Sequence, residues 1–350
     1  MRLRLPALAG LAFAAIVLAP AAQAAHDPDW KGWFFQLDGA LVTPGNTNTA
    51  TLMKGPNALL GGINGVESEV EWVDWDDDIA FRGSVGYSFG SMGSLRVSYW
   101  TYDDTAESGG TDPYDYNGAV WWTVGPVTNI QLSYYYPIAD VTWDFEQTIE
   151  AETWDIEYAR TKQVGNPLTL TFGVGIRVAS FTDTLEGVYG FGPPGDPNFR
   201  FPASRVIDSD GIGITGSIGA EYDFSDMFGI SSNLRVGFLT ADVDMEHSLT
   251  DPGGYAAVGY YPEFTESETI EDEIAMTWDF DINFTFHTGS FMDVEVGYLY
   301  SVWTDLPQFN LTRTQISASA DPIAAPPRIF GEERDHIGWG GPQLRLRFHI

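Results

Sequence analysis

Apolar and polar residues alternate along most of the chain. Between positions 73 and 89, apolar residues occupy most odd positions, while aspartates, serines and an arginine occupy most even ones. The same alternation recurs at 168–178, 212–224, 274–286 and 344–350. Successive side chains of a β-strand point to opposite faces, so this period of two predicts strands with one apolar and one polar face. Soluble sandwiches alternate in the same way, so the pattern alone does not say whether the apolar faces meet a protein core or lipid.

The lengths of the segments and of their connections favour lipid. The segments are longer than the roughly five or six residues of a typical soluble strand, and they suffice for the about 9 to 11 that cross a bilayer at a tilt. Short turns at one rim and long loops at the other are typical of outer-membrane barrels. Short connections are predicted at 90–93, 161–167, 225–229 and 287–290, and long ones at 43–69, 104–140, 182–208, 242–268 and 303–335.

We therefore predict an all-β fold, a transmembrane antiparallel up-and-down β-barrel of about ten strands. The first strand is expected near 33–41. Residues 119–138 leave the count open, because Trp121, Trp122 and the tyrosines at 134–136 could form one more hairpin and make twelve strands. An excursion within the second long loop is the interpretation we favour. The short turns are expected on the periplasmic side and the long loops on the extracellular side.

The first residues have the features of a secretory signal peptide. Arg2 and Arg4 precede an apolar run at 5–19, and Ala22-Gln23-Ala24 supplies small residues for cleavage. The run is shorter than the roughly 20 residues of a membrane-spanning helix. We expect 1–24 to be removed on export, and 25–350 to form a single barrel domain in the outer membrane.

Aromatic residues are abundant, with 12 Trp, 16 Tyr and 22 Phe in 350 residues. A chain of this composition has enough apolar surface to fold throughout. In a membrane barrel, amphipathic rings collect in girdles at the two membrane–water boundaries. We expect such girdle positions at Tyr87, Phe89, Tyr158, Tyr222, Phe224, Phe284, Phe286 and Phe348 near the short turns, and at Trp143, Tyr298 and Tyr300 toward the long loops.

The chain is strongly acidic. Asp and Glu total 49 against 17 Lys and Arg, which gives a net charge of -32. Such a charge repels phosphate backbones, so we expect no nucleic-acid partner. The chain has no cysteine, which excludes disulfides, thiolate zinc sites and thiol catalysis. We predict no cofactor and no resident metal.

Charged residues of both signs share the polar face of the strands and are expected to line the lumen. In a wide barrel such residues select ions, whereas in a narrow one they pair and fill the interior. Ten strands make a narrow barrel. Two interpretations stay open: a narrow, cation-preferring passage, or a closed interior filled by salt bridges. The predicted lining residues are Asp78, Arg82, Arg96, Asp155, Glu157, Arg177, Glu221, Arg235, Asp279, Asp281, Asp293, Glu295, Arg345 and Arg347.

Two short motifs imitate ligand sites without the residues that such sites need. One spells G-x-G-x-x-G, but no strand-to-helix turn surrounds it, so no dinucleotide site is predicted. The other begins like a calcium loop, but it lacks the central glycine and the closing glutamate. We expect at most a weak attraction of cations near the outer mouth from its aspartates. The motifs are Gly211, Gly213 and Gly216, and Asp74, Asp76 and Asp78.

His247 is the one histidine whose neighbours suggest catalysis. Asp242 and Asp244 precede it in a predicted long loop, as a surface hydrolase dyad would require. His287 is expected in a short periplasmic turn, on the wrong side for surface hydrolysis. We predict that the protein is not an enzyme and has no catalytic residues.

Four segments share a likeness to known proteins: WVDWDDDIAFRGSVGY at 72–87, WDIEYAR at 154–160, FGVGIRVASF at 172–181 and GWGGPQLRLRF at 338–348. With them the chain resembles the Legionella-type major outer membrane protein family of pore-forming proteins. The resemblance implies a β-barrel porin that permits diffusion of small hydrophilic solutes and has no catalytic residues.

The predicted function is that of an outer-membrane pore for passive diffusion of ions and small hydrophilic solutes. The expected partners are outer-membrane lipid and lipopolysaccharide, the barrel-assembly machinery and the transported solutes or ions; whether copies form a homo-oligomer is left open. The first rival is a structural or adhesive surface barrel with a closed interior. The second rival is a surface hydrolase that uses His247.

Overall fold

The structure is a computed structural model of the chain. The predicted signal peptide at 1–24 lies outside the residues that it describes. The described residues are 30–45, 50–56, 69–113, 120–124, 140–165, 167–192, 200–250, 264–289, 291–307 and 334–350.

Most of the described residues lie in β-strands. A 3₁₀ turn at Gly90–Met92 joins two of them. The described part of the chain contains no helix that is long and apolar enough to cross a bilayer. The strands are β1 (Lys31–Gly45), β2 (Ala50–Pro56), β3 (Glu69–Trp72), β4 (Asp78–Phe89), β5 (Ser94–Pro113), β6 (Val120–Val124), β7 (Asp140–Gly165), β8 (Leu168–Gly192), β9 (Arg200–Ser225), β10 (Phe228–Leu249), β11 (Phe264–His287), β12 (Met292–Pro307) and β13 (Arg334–His349).

Ten of these strands close into one antiparallel barrel, in the order β1, β13, β12, β11, β10, β9, β8, β7, β5, β4. The first strand, β1, pairs with β13 on one side and with β4 on the other, so the sheet has no open edge. Closure satisfies the backbone N–H and C=O groups that lipid cannot satisfy. The predicted ten-stranded antiparallel barrel is confirmed.

The other three strands form a separate small sheet in the order β3, β2, β6. Strand β6 falls within 119–138, the segment whose role the sequence left open, and it pairs with β2 instead of a barrel strand. The described part of this segment is therefore an excursion, and it adds no strand to the barrel. Residues 119 and 125–138 lie outside the described part.

The two rims of the barrel differ in height. Four short connections lie at one end, here named the short-turn rim, and join β4 to β5, β7 to β8, β9 to β10, and β11 to β12. At the other end, β5 and β7 to β11, each 20 to 26 residues long, continue well past β4 and β12. We name these continuations the extension. The long loops predicted at 182–208 and 242–268 are therefore wrong in large part, because β8 pairs with β9 up to Arg200 and β10 pairs with β11 up to Leu249.

The alternation of apolar and polar residues inverts where the strands leave the membrane. On β9, Ile212 and Ile218 point outward and are exposed. Farther along the same strand, Asp210 points outward, while Ile207 and Phe201 are buried inside the barrel. Even-numbered residues of β9 point outward along the whole strand. The apolar residues therefore lie on the outer face at the belt and on the inner face in the extension. This is why the extension resembles loop in the sequence: its outward residues are polar.

Large apolar side chains form a belt around the outside of the barrel, nearest the short-turn rim. Soluble proteins rarely expose a continuous apolar surface of this size, whereas a membrane barrel requires it. The belt has the character of an outer-membrane barrel. It includes the exposed residues Trp154, Ile156, Tyr158, Val174, Ile176, Ile214, Ile218, Phe280, Ile282, Phe284, Tyr298 and Tyr300.

Three aromatic or apolar side chains lie inside the barrel, contrary to the prediction from the sequence. Trp143 was expected in the outer girdle but is buried inside, because it shares the inward parity of Asp155 on β7. The alternation at 73–89 predicts Val73 and Trp75 on the apolar face of a strand. They precede β4, which begins only at Asp78, and they are buried in the interior.

Replacing Ile218, in the middle of the belt on β9, by arginine should lower the free energy of unfolding from a bilayer by about 2–4 kcal/mol, because a charge would face hydrocarbon. The control is Val206→Arg, outward on the extension of the same strand, where the loss should be about 0–1 kcal/mol. Urea titration in lipid vesicles, followed by tryptophan fluorescence, measures both. Equal losses would contradict the position of the belt.

Candidate functional site

The interior of the barrel is the candidate functional site, and it is filled with polar side chains. Every barrel strand contributes at least one inward polar side chain that is almost fully buried. A water-filled lumen would leave such side chains exposed, so the interior is closed at this level. One such residue from each strand, in chain order, gives Asp38, Arg82, Ser98, Asp155, Arg177, Thr215, Arg235, Asp279, Ser301 and Arg345.

A first ion-pair cluster lies around Arg177, which is 1% exposed. Its Nε donates to Asp155 Oδ1 at 2.7 Å, and its Nη2 donates to Asp279 Oδ2 at 2.6 Å. Arg235 shares the same aspartate, with Nη1 2.9 Å from Asp155 Oδ2. Arg235 Nη2 also lies 3.1 Å from Glu157 Oε2. The cluster therefore connects β7, β8, β10 and β11 across the lumen.

A second cluster lies around Arg345 on β13. Its Nε donates to Asp38 Oδ1 on β1 at 3.1 Å. Its Nη1 lies 3.2 Å from Asp281 Oδ1 and 3.1 Å from Glu295 Oε2. Arg347 adds a contact of 2.7 Å from Nη2 to Glu295 Oε1. The first and last barrel strands are thus joined by a buried ion pair.

Pairing is what allows these charges to be buried. Removing an ion from water carries an effective penalty of several kcal/mol, which only close opposite charges and hydrogen bonds offset. Each inward arginine of the belt region has a carboxylate oxygen within 3.9 Å; these arginines are Arg82, Arg96, Arg177, Arg235, Arg345 and Arg347.

A layer of aromatic rings covers the ion pairs on the side of the extension. Trp339 lies at its centre and is fully buried. Its ring centroid is 5.5 Å from that of Trp100, 5.9 Å from that of Trp303 and 5.9 Å from that of Tyr102. Phe181 completes the layer at 6.1 Å from Trp303. The interior therefore has two closed levels, one ionic and one aromatic.

The aromatic layer leaves several indole donors unsatisfied. The buried Nε1 groups of Trp75, Trp100, Trp303 and Trp339 have no hydrogen-bond acceptor among the residues that the structure describes. A buried donor without an acceptor costs about 1–3 kcal/mol. The layer is held by ring packing and burial of apolar area, and its polar groups contribute little.

The predicted lining residues all point into the interior. Arg96, Glu221 and Arg347 are half-buried near the short-turn rim, and Asp78 is half-buried at the opposite end. The remaining ones are almost fully buried: Arg82, Asp155, Glu157, Arg177, Arg235, Asp279, Asp281, Asp293, Glu295 and Arg345.

The other motifs weighed in the sequence are not assembled into sites. His247 lies on β10, inside a strand and not in a loop, and it is 2% exposed and faces inward. Asp242 and Asp244 are exposed on the opposite face of that strand, so the suggested dyad does not form.

The two short motifs also form no site. The glycines at 211, 213 and 216 lie within strand β9. Asp74 and Asp76 are exposed in the segment before β4.

One cluster was missed by the sequence analysis. At the short-turn rim, Glu221 and Asp223 of β9 meet His287 of β11, and their ligand atoms lie within 4.8 Å of one another. Asp293 and His349 stand beside them. The sequence predicts His287 in a turn, but it ends β11, and its odd position there gives it the inward parity of Asp279 and Asp281.

The outward surface of the extension is acidic. Asp208, Asp210, Asp242 and Asp244 are all exposed on β9 and β10, above the belt. Partial desolvation raises the pKa of the Asp210 carboxyl, and the neighbouring carboxylates of Asp208 and Asp244 raise it further. The carboxylates of this surface therefore repel one another when all of them are ionised.

Structural comparison finds membrane barrels at low similarity. The outer membrane protease OmpT from Escherichia coli aligns with 95% of this chain and 100% of its own, at 10% identity and a TM-score of 0.46. The Pseudomonas putida toluene transporter TodX aligns with 91% of this chain and 89% of its own, at 7% identity and a TM-score of 0.27. Likeness at this level bears on neither activity nor substrate. No family model and no curated protein matches the sequence.

Substituting Arg177 by alanine should lower the free energy of unfolding by about 3–5 kcal/mol, because Asp155 and Asp279 would be left as uncompensated buried charges. Arg160→Ala, at an exposed position on β7, is the control and should change it by about 0.5 kcal/mol or less. Urea titration in vesicles measures both. A loss at Arg177 no larger than that of the control would contradict the closed ionic interior.

Substituting Asp210 by asparagine should stabilise the protein at neutral pH. A carboxyl whose pKa is raised by folding contributes least to stability above that pKa and most below its unfolded value, so the wild type should gain stability as the pH falls. The advantage of Asp210→Asn should therefore shrink between about pH 7 and about pH 4. Asp103→Asn on β5 is the control. An advantage that grows with acidification would contradict the direction of this pKa.

Proposed function

We propose that the protein is an outer-membrane barrel with a closed interior, whose role is to anchor and present the extension at the cell surface. One observation carries this proposal: all ten barrel strands contribute buried inward polar residues at the level of the belt. A transport route for water-borne solutes needs exposed side chains along its whole length. In this barrel the inward side chains are buried at two successive levels, the ion pairs and the aromatic layer.

The charges of the interior argue in the same direction. The sequence suggested that Asp279, Asp281, Asp293 and Glu295 attract cations into a passage. Asp279 contacts Arg177 at 2.6 Å, and Asp281 contacts Arg345 at 3.2 Å. Carboxylates whose charge is neutralised by adjacent guanidinium groups attract a passing cation weakly. The passive, cation-preferring pore, and with it the porin role implied by family resemblance, stay predictions that rank below the closed barrel.

The extension supports a role at the surface. Strands of 20 to 26 residues hold it by regular pairing with their neighbours, so it is an ordered part of the barrel wall. Inside, Arg205 Nη2 contacts Asp183 Oδ2 at 2.7 Å, and Gln147 donates to the same carboxylate at 2.8 Å. Its acidic outer surface favours partners that carry positive charge. We propose no catalytic role for it.

Planar-bilayer recording of the purified, refolded full chain tests the closed interior. We expect no discrete conductance steps at high salt, with folding confirmed by a heat-dependent shift in gel mobility. Reproducible steps of a single size in folded protein would overturn the proposal.

A charge-neutralised variant makes the same experiment decisive. It combines Asp279→Asn, Asp281→Asn, Asp293→Asn and Glu295→Gln. If the wild type conducts with a cation preference that this variant loses, the pore predicted from the sequence is correct and the closed barrel is wrong. If the interior is closed, the wild type shows no conductance, and the variant is mainly less stable, because Arg177 keeps only Asp155 and Arg345 keeps only Asp38 as ionised partners.

A further inference from the structure

We propose that Glu221, Asp223 and His287 form a binding site for one divalent transition-metal ion, Zn²⁺ by the chemistry of its ligands. The three side chains meet at the short-turn rim, on the inner side of the barrel, and each offers a ligand atom within 4.8 Å of the others. Imidazole nitrogen and carboxylate oxygen are both Zn²⁺ ligands, and three protein ligands leave one position for water. The inference is independent of whether the lumen conducts.

The spacing of the donors fits a tetrahedral ion. His287 Nε2 lies 3.2 Å from Asp223 Oδ1. Two ligand atoms that are each about 2.0–2.1 Å from one tetrahedral Zn²⁺ are about 3.3–3.4 Å apart. The observed separation therefore places both atoms on one edge of such a tetrahedron with little movement. Glu221, on the same strand two residues away, is the third donor.

A buried carboxylate orients the imidazole of His287. Nδ1 lies 2.9 Å from Asp293 Oδ1, and Asp293 is 2% exposed. Metal-ligating histidines almost always donate their second ring N–H to a carboxylate, carbonyl or water, which sets the tautomer. With its proton on Nδ1, His287 directs the Nε2 lone pair at Asp223. Two facing lone pairs repel, so a cation belongs between them: a metal ion, or a second proton on the ring.

The space for the ion is kept open by a glycine. Strand β10 runs between β9 and β11, and Gly229 is its residue at the level of the site, paired with Asp223 on one side and with Thr285 on the other. A Cβ at Gly229 would lie 2.6 Å from Asp223 Oδ1 and 3.4 Å from His287 Nε2. Any larger residue would therefore crowd both donors and force the Asp223 carboxylate to shift.

The surrounding charges tolerate a dication. The cationic Arg347 lies beside the site, with Nη1 3.6 Å from Glu221 Oε2, but its closer contact is to Glu295 at 2.7 Å. His349 Nε2 contacts Asp293 Oδ2 at 3.1 Å and so lies behind the orienting carboxylate. Two ionised carboxylates balance the charge of Zn²⁺. A bound ion would link β9 to β11 across β10, where the strands end.

Titration calorimetry with Zn²⁺ alone, on the refolded full chain in detergent, tests the site. We expect one ion per chain with micromolar or tighter affinity and much weaker binding of Mg²⁺. His287→Gln and Asp223→Asn should abolish binding, and Asp293→Asn should weaken it about 10–100-fold by releasing the imidazole. His336→Gln, an exposed histidine at the opposite end of β13, is the control and should bind like the wild type.

Gly229→Ala separates a built site from scattered weak binding, because it removes no donor. It should weaken Zn²⁺ binding by at least about tenfold, in line with other losses of site geometry. Should His287→Gln fail to give the heat-dependent gel shift of folded protein, the visible spectrum of bound Co²⁺ decides instead: tetrahedral bands are expected in the wild type and absent in Gly229→Ala. Equal affinity in the wild type and Gly229→Ala, or no Zn²⁺ binding by folded wild type, would overturn the proposal in favour of a doubly protonated His287.

Discussion

Charge matching inside a narrow, closed barrel is the constraint on which the rest of the structure depends. The arginines that point into the belt region have no room for their hydration, so each needs a carboxylate in contact. The carboxylates are shared: Asp155 serves Arg177 and Arg235, and Glu157 serves Arg96 and Arg235. Polar residues can therefore face inward on every strand without a water channel, and the outward faces are free to be apolar toward lipid.

The barrel itself was accessible from the sequence because its signals are local. A period of two and short turn segments depend on neighbouring residues only, and they predicted ten antiparallel strands. The strand limits were not accessible from hydrophobicity alone, because the apolar face changes sides above the membrane. Asp208, for example, is polar and outward, which is typical of a loop residue. Only the burial of its neighbour Ile207 inside the barrel shows that both belong to a strand. For Trp143 the hydrophobicity predicts an outward position, but parity gives the correct one: Trp143 and the inward Asp155 both occupy odd positions on β7.

The candidate site was accessible in part, for a related reason. Parity assigns residues to the inner face, and the lining residues were predicted on that basis. It does not assign partners, because these depend on the register of strands that are distant in sequence. Arg177 and Asp279 are 102 positions apart and meet across the lumen. The rim cluster needs three strands in register, and the part played by Gly229 is visible only where β10 passes between Asp223 and His287.

The ion pair between Asp38 and Arg345 has a consequence for how the barrel is made. It spans 307 positions and sits where β1 pairs with β13. Contacts so distant in sequence form late and slowly. Until β13 arrives, β1 and β12 each present an unpaired edge that hydrocarbon cannot solvate. The chain therefore has no stable partial form within a bilayer, and insertion must be a single cooperative event in which both ends of the sheet are held until they meet.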